Sequence, residues 1–271
     1  METSSGGFYD QLTDLFLTSY SANLHHGYWD HDTPLDDWKA ATETLTQVLA
    51  THLAAGKEHK LLDIGCGAGN PALRIAQLTG ADVTGVTNSR RQTELATQAA
   101  IDAGLSGRAH FDYGDALELP YADAAFDIAW AMESMFHIDD RPRMLSEAAR
   151  VLRPGGRLVI SDLALVGTID SHAQSVAAGF CRAFEGPSVV HKDDYAPLLT
   201  AAGLQDVQVH DLSEPTRPTA TAIVNSVVGA REAFEECMGT DDYHAFVTDV
   251  GAYGKLPQAG YVIATALKPA N

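Results

Sequence analysis

Cysteine is scarce, with three in 271 residues, and Cys66, Cys181 and Cys237 lie too far apart for a metal-binding or disulfide spacing. A disulfide-stapled fold is excluded, and such thiol usage suits a reducing cytoplasm. Positive charge is also short: 18 Lys and Arg face 36 Asp and Glu, a formal charge of −18. A polyphosphate would be repelled over most of that surface, which argues against nucleic acid as a partner. The acids are scattered rather than clustered, as on an ordinary solvated face. No apolar run is long enough to span a bilayer. Residues 1–7 hold neither a basic nor an apolar leader segment, so a cytoplasmic location is expected.

What is present is a full core's worth of apolar residues, 45% of the chain, in a length that suits one α/β domain with an insertion. Residues 61–70 read Leu-Leu-Asp-Ile-Gly-Cys-Gly-Ala-Gly-Asn, an apolar run, an acid, and glycines at alternate positions. This pattern predicts a strand feeding a bare turn on which a ligand lies against main-chain N–H groups. Pro71 then opens a helix. A dinucleotide fingerprint would place a third glycine at residue 70, which is Asn70, and an acid after the next strand, where Thr87 and Asn88 stand. No Gly-Lys-Ser/Thr follows, so a Walker loop is excluded. The turn is left with a cofactor that lacks phosphates.

Downstream of Lys60, apolar strands alternate with helical patterns: residues 61–65, 82–86, 109–113, 126–131 and 158–163. The alternation predicts a parallel sheet with helices on both faces and its ligand loops on one edge. Two amphipathic helices precede it, over 8–20 and 38–53. The period breaks after Leu163, and 167–190 reads as a helical insertion over the pocket. Helices are expected over 193–203, 219–238 and 243–253, with strands at 207–212 and 261–268. The pair His25-His26 invites a metal, but neighbours in an extended segment face opposite ways and no acid pattern completes a site. No metal is expected.

The run Asp63-x-Gly65-x-Gly67-x-Gly69 resembles motif I of the class I S-adenosylmethionine-dependent methyltransferases. Val83-Thr84-Gly85-Val86-Thr87-Asn88-Ser89 with Gln92 is similar to the second-strand signature of their small-molecule and lipid-modifying branch. Tyr113-Gly114-Asp115-Ala116 with Leu119-Pro120 looks like the adenine-side loop. Residues 125–130 and 151–158 match the fourth strand and the turn into the fifth. Nearly the whole chain is covered, and 23–29 and 259–262 resemble the antibiotic-sugar O-methyltransferases. The resemblance implies a doubly wound, mostly parallel, seven-stranded Rossmann-like sheet. It would form a single domain over 1–271, with a helical flap (1–55), a cofactor core (56–163), a lid with late sheet elements (164–258) and a last strand (259–271).

It also implies roles. Gly65 and Gly67 give backbone contact, and Asp63 organises the loop near the cofactor ammonium. Thr87, Asn88 and Gln92 reach the ribose; Asp115, with Ala116, takes the adenine amine or else caps a helix. The flap places Tyr28 and Tyr20 over the methionine end, Tyr28 toward cofactor and Tyr20, with Phe136, toward substrate. For a hydroxyl acceptor, His137 is the base or a packing residue, Asp162 orients it, and Glu133 binds substrate or pairs locally. The expected reaction is methyl transfer from S-adenosylmethionine to a small natural product, at a hydroxyl. The alternatives are carbon or nitrogen methylation of an aromatic or isoprenoid acceptor, and a cofactor-binding module without turnover. A homo-oligomer is compatible with the sequence.

Overall fold

The computed structural model describes residues 13–18, 23 and 25–270. At its centre is one sheet of eight strands: β1 (Lys60–Ile64), β2 (Asp82–Thr87), β3 (Ala109–Tyr113), β4 (Phe126–Met132), β5 (Leu152–Leu165), β6 (Val190–His191), β7 (Gln205–Asp211) and β8 (Ala259–Leu267). Seven of them lie in the order β3-β2-β1-β4-β5-β8-β7. The expected seven strands gain an eighth, because the two-residue β6 pairs in parallel with the end of β5. Among the described strands, β8 alone runs against the common direction, pairing antiparallel with both β5 and β7.

Strand alternation decides the layers. Leu61 belongs to the apolar layer with Leu45, Leu49 and Ile75, whereas Leu62 and Ile64 join Met144, Leu145 and Val151 on the other face. Helix α1 (Trp38–Leu53) shows how a face is made. Asp37 caps it, with Oδ1 accepting from Ala40 N at 2.9 Å, and Trp38, Ala41, Leu45, Leu49 and Leu53 recur at helical spacing on the buried side. Helix α2 (Arg90–Asp102) follows β2 and is capped in the same way, Ser89 Oγ accepting from Gln92 N at 3.0 Å.

A third apolar cluster is built by α3 (Ser171–Ala183) and the later helices α4 (Thr219–Gly229), α5 (Arg231–Met238) and α6 (Thr240–Gly254). The helix expected over 219–238 breaks at Ala230, where φ is −112° and ψ is 31°. Strand order reverses between β1 and β4, and at their C-terminal ends the two loops diverge to leave a crevice, the usual ligand position in such sheets.

Candidate active site

The glycine loop forms one wall of that crevice. Gly65 and Gly67 hold φ of 79° and 55°, and each is glycine for its own reason. A Cβ on Gly65 would collide with Ser134 Cβ, and Ser134 Oγ donates to Ile64 O at 2.6 Å, clamping the ends of β1 and β4 together. A Cβ on Gly67 would meet nothing within 4 Å, because it would stand in the cavity. Asp63, 2% exposed, also lines the cavity, and burial pushes its carboxyl well above the usual carboxylate range.

The structure brings together most of the residues singled out from the sequence: Asp63, Gly65, Gly67, Thr87, Asn88, Gln92, Asp115, Ala116, Glu133, Phe136 and His137 all line one cavity. It shows other duties for some of them. Thr87 Oγ1 donates to Gln92 Oε1 at 2.8 Å, and Gln92 Nε2 donates to Thr13 Oγ1 at 3.3 Å. Gln92 thereby ties the helical turn at 13–18 to the start of α2. Its amide is committed to that strap, which leaves Asn88 and Asp115 as the better placed polar groups.

Asp115 caps no helix. Its Oδ1 accepts from Leu117 N at 2.8 Å within a turn, and it is exposed at the cavity. The second oxygen stays available to an amine donor. Asp115→Ala should weaken cofactor binding by about 1–3 kcal/mol, read by calorimetric titration. Unaltered affinity would leave Asp115 as a turn residue alone.

Two expected contacts do not form. Tyr28 lies off the cavity wall: its N–H donates to Ala41 O at 2.8 Å, and its ring packs partly buried against the α1 layer. Gly27 N, bonded to Thr219 Oγ1 at 3.2 Å, and Trp29 N, bonded to Pro215 O at 2.8 Å, fix the strap in that register. Asp162 does not orient His137. Its oxygens accept from Phe136 N at 2.9 Å and Leu163 N at 2.8 Å, so it pins the turn that follows β4. Burial, then the Glu133 charge, pushes it up to about 8. Tyr20 lies outside the described residues.

His137 stands at the apolar end of the cavity. Burial lowers its imidazole to about 4, against smaller raising effects from Glu133 and from a hydrogen bond to the Phe184 backbone, so the ring is neutral at pH 7. Around it, the Phe136 ring centre is 4.8 Å from the His137 ring and 5.8 Å from that of Phe180, which stacks on Tyr253 at 4.1 Å. Phe184, Leu163 and Ile223 complete this end. The lid supplies Phe180, Phe184 and Ile223, and no local motif marks them as lining residues.

Glu133 belongs to a network invisible in the motif. His26, at 107 positions' separation, meets it through Nδ1 at 2.9 Å and through its backbone N–H at 2.7 Å, and Tyr261 OH donates at 2.9 Å. Burial pushes the Glu133 carboxyl up, but His26 and His25 outweigh it and the net shift is downward. The adjacent His25 turns elsewhere, its Nε2 lying 3.3 Å from Thr46 Oγ1.

A bare glycine loop, a buried carboxyl open to the cavity and an acid beside its far wall fit S-adenosylmethionine, which carries an ammonium, an adenine amine and no phosphate. Residues 62–160 match the family model described as a methyltransferase domain. Methyltransferase GfsG of Streptomyces halstedii is 42% identical over 97% of this chain and 94% of its own length. The 27-O-demethylrifamycin SV methyltransferase of Amycolatopsis mediterranei is 39% identical over 97% and 96%. Among solved structures, the [4+2]-cyclase SpnF superposes with a TM-score of 0.86 at 31% identity, covering 99% of this chain and 98% of that one. Identity to these enzymes over almost the whole length, together with the loop and cavity that suit the cofactor, places the chain in the family of S-adenosylmethionine-dependent small-molecule methyltransferases.

Proposed function

We propose that the chain methylates a hydroxyl group on a small, largely apolar natural product in the cytoplasm. The observation that carries this reading is the continuity of the cavity: one space runs from the glycine loop to the Phe136, Phe180 and Phe184 rings. Bound at the loop, S-adenosylmethionine supplies a methyl group on a sulfonium, already a good leaving group. The chain's work is then to hold the acceptor oxygen in line and keep water out. The rings give an apolar acceptor a surface, and the helices of the third cluster cover it. The formal charge of −18 disfavours nucleic-acid acceptors. The names of the two relatives support small-molecule methylation, and one of them specifies an oxygen.

His137 serves this reaction as an orienting group. An imidazole lowered to about 4 is a weak proton acceptor at pH 7, but it stays neutral and fixed beside Phe136. His137→Ala should lower kcat/KM for the acceptor about 10–100-fold, with cofactor affinity unchanged and the pH profile between about 5 and 8 unmoved. Loss of an ionisation in that range would instead make His137 the base.

The test uses 27-O-demethylrifamycin SV and simpler apolar alcohols as probes, with mass spectrometry and NMR of the product. The proposal expects one added methyl as a methyl ether; a new carbon–methyl or nitrogen–methyl bond would overturn it. The 31% identity to a cyclase carries a second reading, a [4+2] ring closure in the same apolar space. That reading expects a product of unchanged mass and no consumption of the methyl donor.

A further inference from the structure

Glu133 follows directly on β4 with φ of 53°, in the left-handed region that non-glycine residues seldom adopt and that recurs where a side chain is being aimed. Its carboxylate is sunk among three donors. Oε1 accepts from His26 N at 2.7 Å and Tyr261 OH at 2.9 Å; Oε2 accepts from His26 Nδ1 at 2.9 Å. The Tyr261 proton is directed to Glu133, so Ser161 Oγ, 2.9 Å away, donates to Tyr261 in turn. The His26 ring also lies against Tyr261, with centres 5.0 Å apart.

An ionised carboxylate can only accept, so Nδ1 of His26 carries the proton and Nε2 of the neutral ring keeps its lone pair. His26 borders the cavity, as do Glu133 and the glycine loop. It borders a second, small cavity as well, lined by Ser213, Thr216, Arg217 and Tyr253. Among the described residues, His26 is thus the one shared by the reaction space and a neighbouring small cleft. Methylation of a hydroxyl releases one proton from a covered site, and that proton needs both an acceptor and a way out.

We propose that Glu133 and His26 act as a dyad that takes the proton from the acceptor hydroxyl, with Nε2 of His26 as the base, and that the second cavity is its exit. The inference rests on the hydroxyl reading above. The acceptor oxygen bonds to the methyl carbon as its O–H proton passes to Nε2. The electron pair of the broken methyl–sulfur bond stays on sulfur, and the imidazolium is held against the Glu133 carboxylate. Tyr261 and Ser161 act as positioning residues, because they reach the acceptor only through Glu133.

The other titratable groups facing the pair leave this role to His26. Burial outweighs the raising effect of Glu133 at both His25 and His137, so both rings are shifted downward, His137 to about 4. Tyr261 is pushed far upward by burial and by Glu133. Asp162, up near 8, and Asp63, also raised, keep their protons to higher pH than an ordinary carboxyl and so add little negative charge beside the pair. Arg217, whose guanidinium pairs with Glu214 at 2.9 Å, also lines the second cavity.

The test begins without an acceptor. Nitrogen NMR of histidine-labelled enzyme saturated with S-adenosylhomocysteine, with the His26 signal assigned by its loss in His26→Gln, should show the Nδ1–H tautomer. In Glu133→Gln the preference for Nδ1–H should be lost, because an amide can donate to the ring as well as accept from it. An Nε2–H tautomer in the wild type, or an unchanged tautomer in Glu133→Gln, overturns the dyad. With 27-O-demethylrifamycin SV as acceptor, His26→Gln should lower kcat at least ~100-fold with KM within about threefold and abolish the fall in rate on the acid side. A retained rate or a retained acid limb overturns the proposal. A wild-type enzyme that makes no methyl ether from any alcohol probe overturns the hydroxyl reading, while the tautomer experiment judges the pair separately.

Discussion

Gly67→Val should cost at least ~100-fold in affinity for S-adenosylmethionine while leaving a folded protein. Two effects combine. The backbone at Gly67, with φ of 55°, costs a non-glycine residue about 1–2 kcal/mol, more for a β-branched one. A side chain there also projects into the cavity, where no neighbouring atom lies within 4 Å to clash with it. The native fold therefore survives, and the volume is taken from the ligand. A loss of that size corresponds to about 2.8 kcal/mol. Gly155 provides the control. It has φ of 75° and no atom within 4 Å of where a Cβ would stand, but it sits near the start of β5, at the opposite end of the strand from the site. Gly155→Val should cost similar stability and leave affinity unchanged. Equal affinity in both variants, by calorimetry, would remove the loop from the cofactor site.

The second large effect concerns Asp63. Its carboxyl is 2% exposed and pushed well up by burial. No hydrogen bond to it forms among the described residues. A ligand ammonium would supply the missing partner. Asp63→Asn should therefore stabilise the unliganded protein, by about 1 kcal/mol or ~2–4 °C in Tm, and weaken cofactor binding roughly 10–100-fold. The pH dependence follows from the raised value. Stability contributed by protonated Asp63 is fully present below about pH 4, the unfolded value, and is lost as pH rises through the folded one. Cofactor affinity should rise across the same window and stay flat in Asp63→Asn. An Asn variant that loses stability without losing affinity would make Asp63 a structural acid.

These two residues are legible in the sequence because their signal is local. An acid and alternate glycines at the end of an apolar run leave few backbone solutions, and the strands are equally legible from apolar runs bounded by turns. The periodicity over 38–53 predicts α1, which spans Trp38–Leu53. Asp162 shows where locality fails. Its place on the ligand edge of the sheet can be read from the strand, but the alternation of side chains along β5 sends Ser161 toward Tyr261 and its neighbour Asp162 toward the Phe136 amide. Tyr28 departs from expectation for a related reason, because the strap's register is set by bonds to Ala41 in α1 and to Pro215 and Thr219 at the entry to α4.

The sequence by itself determined the α/β sheet, the glycine loop and the donor class, since each depends on residues within a few positions of one another. Only the tertiary structure decided which groups surround the transferred methyl. His26 lies 107 positions from Glu133 and Tyr261 lies 128 from it, and the Phe180 and Phe184 rings come from the lid. Contacts of that kind follow from how packed layers close over the crevice, and no local periodicity encodes them.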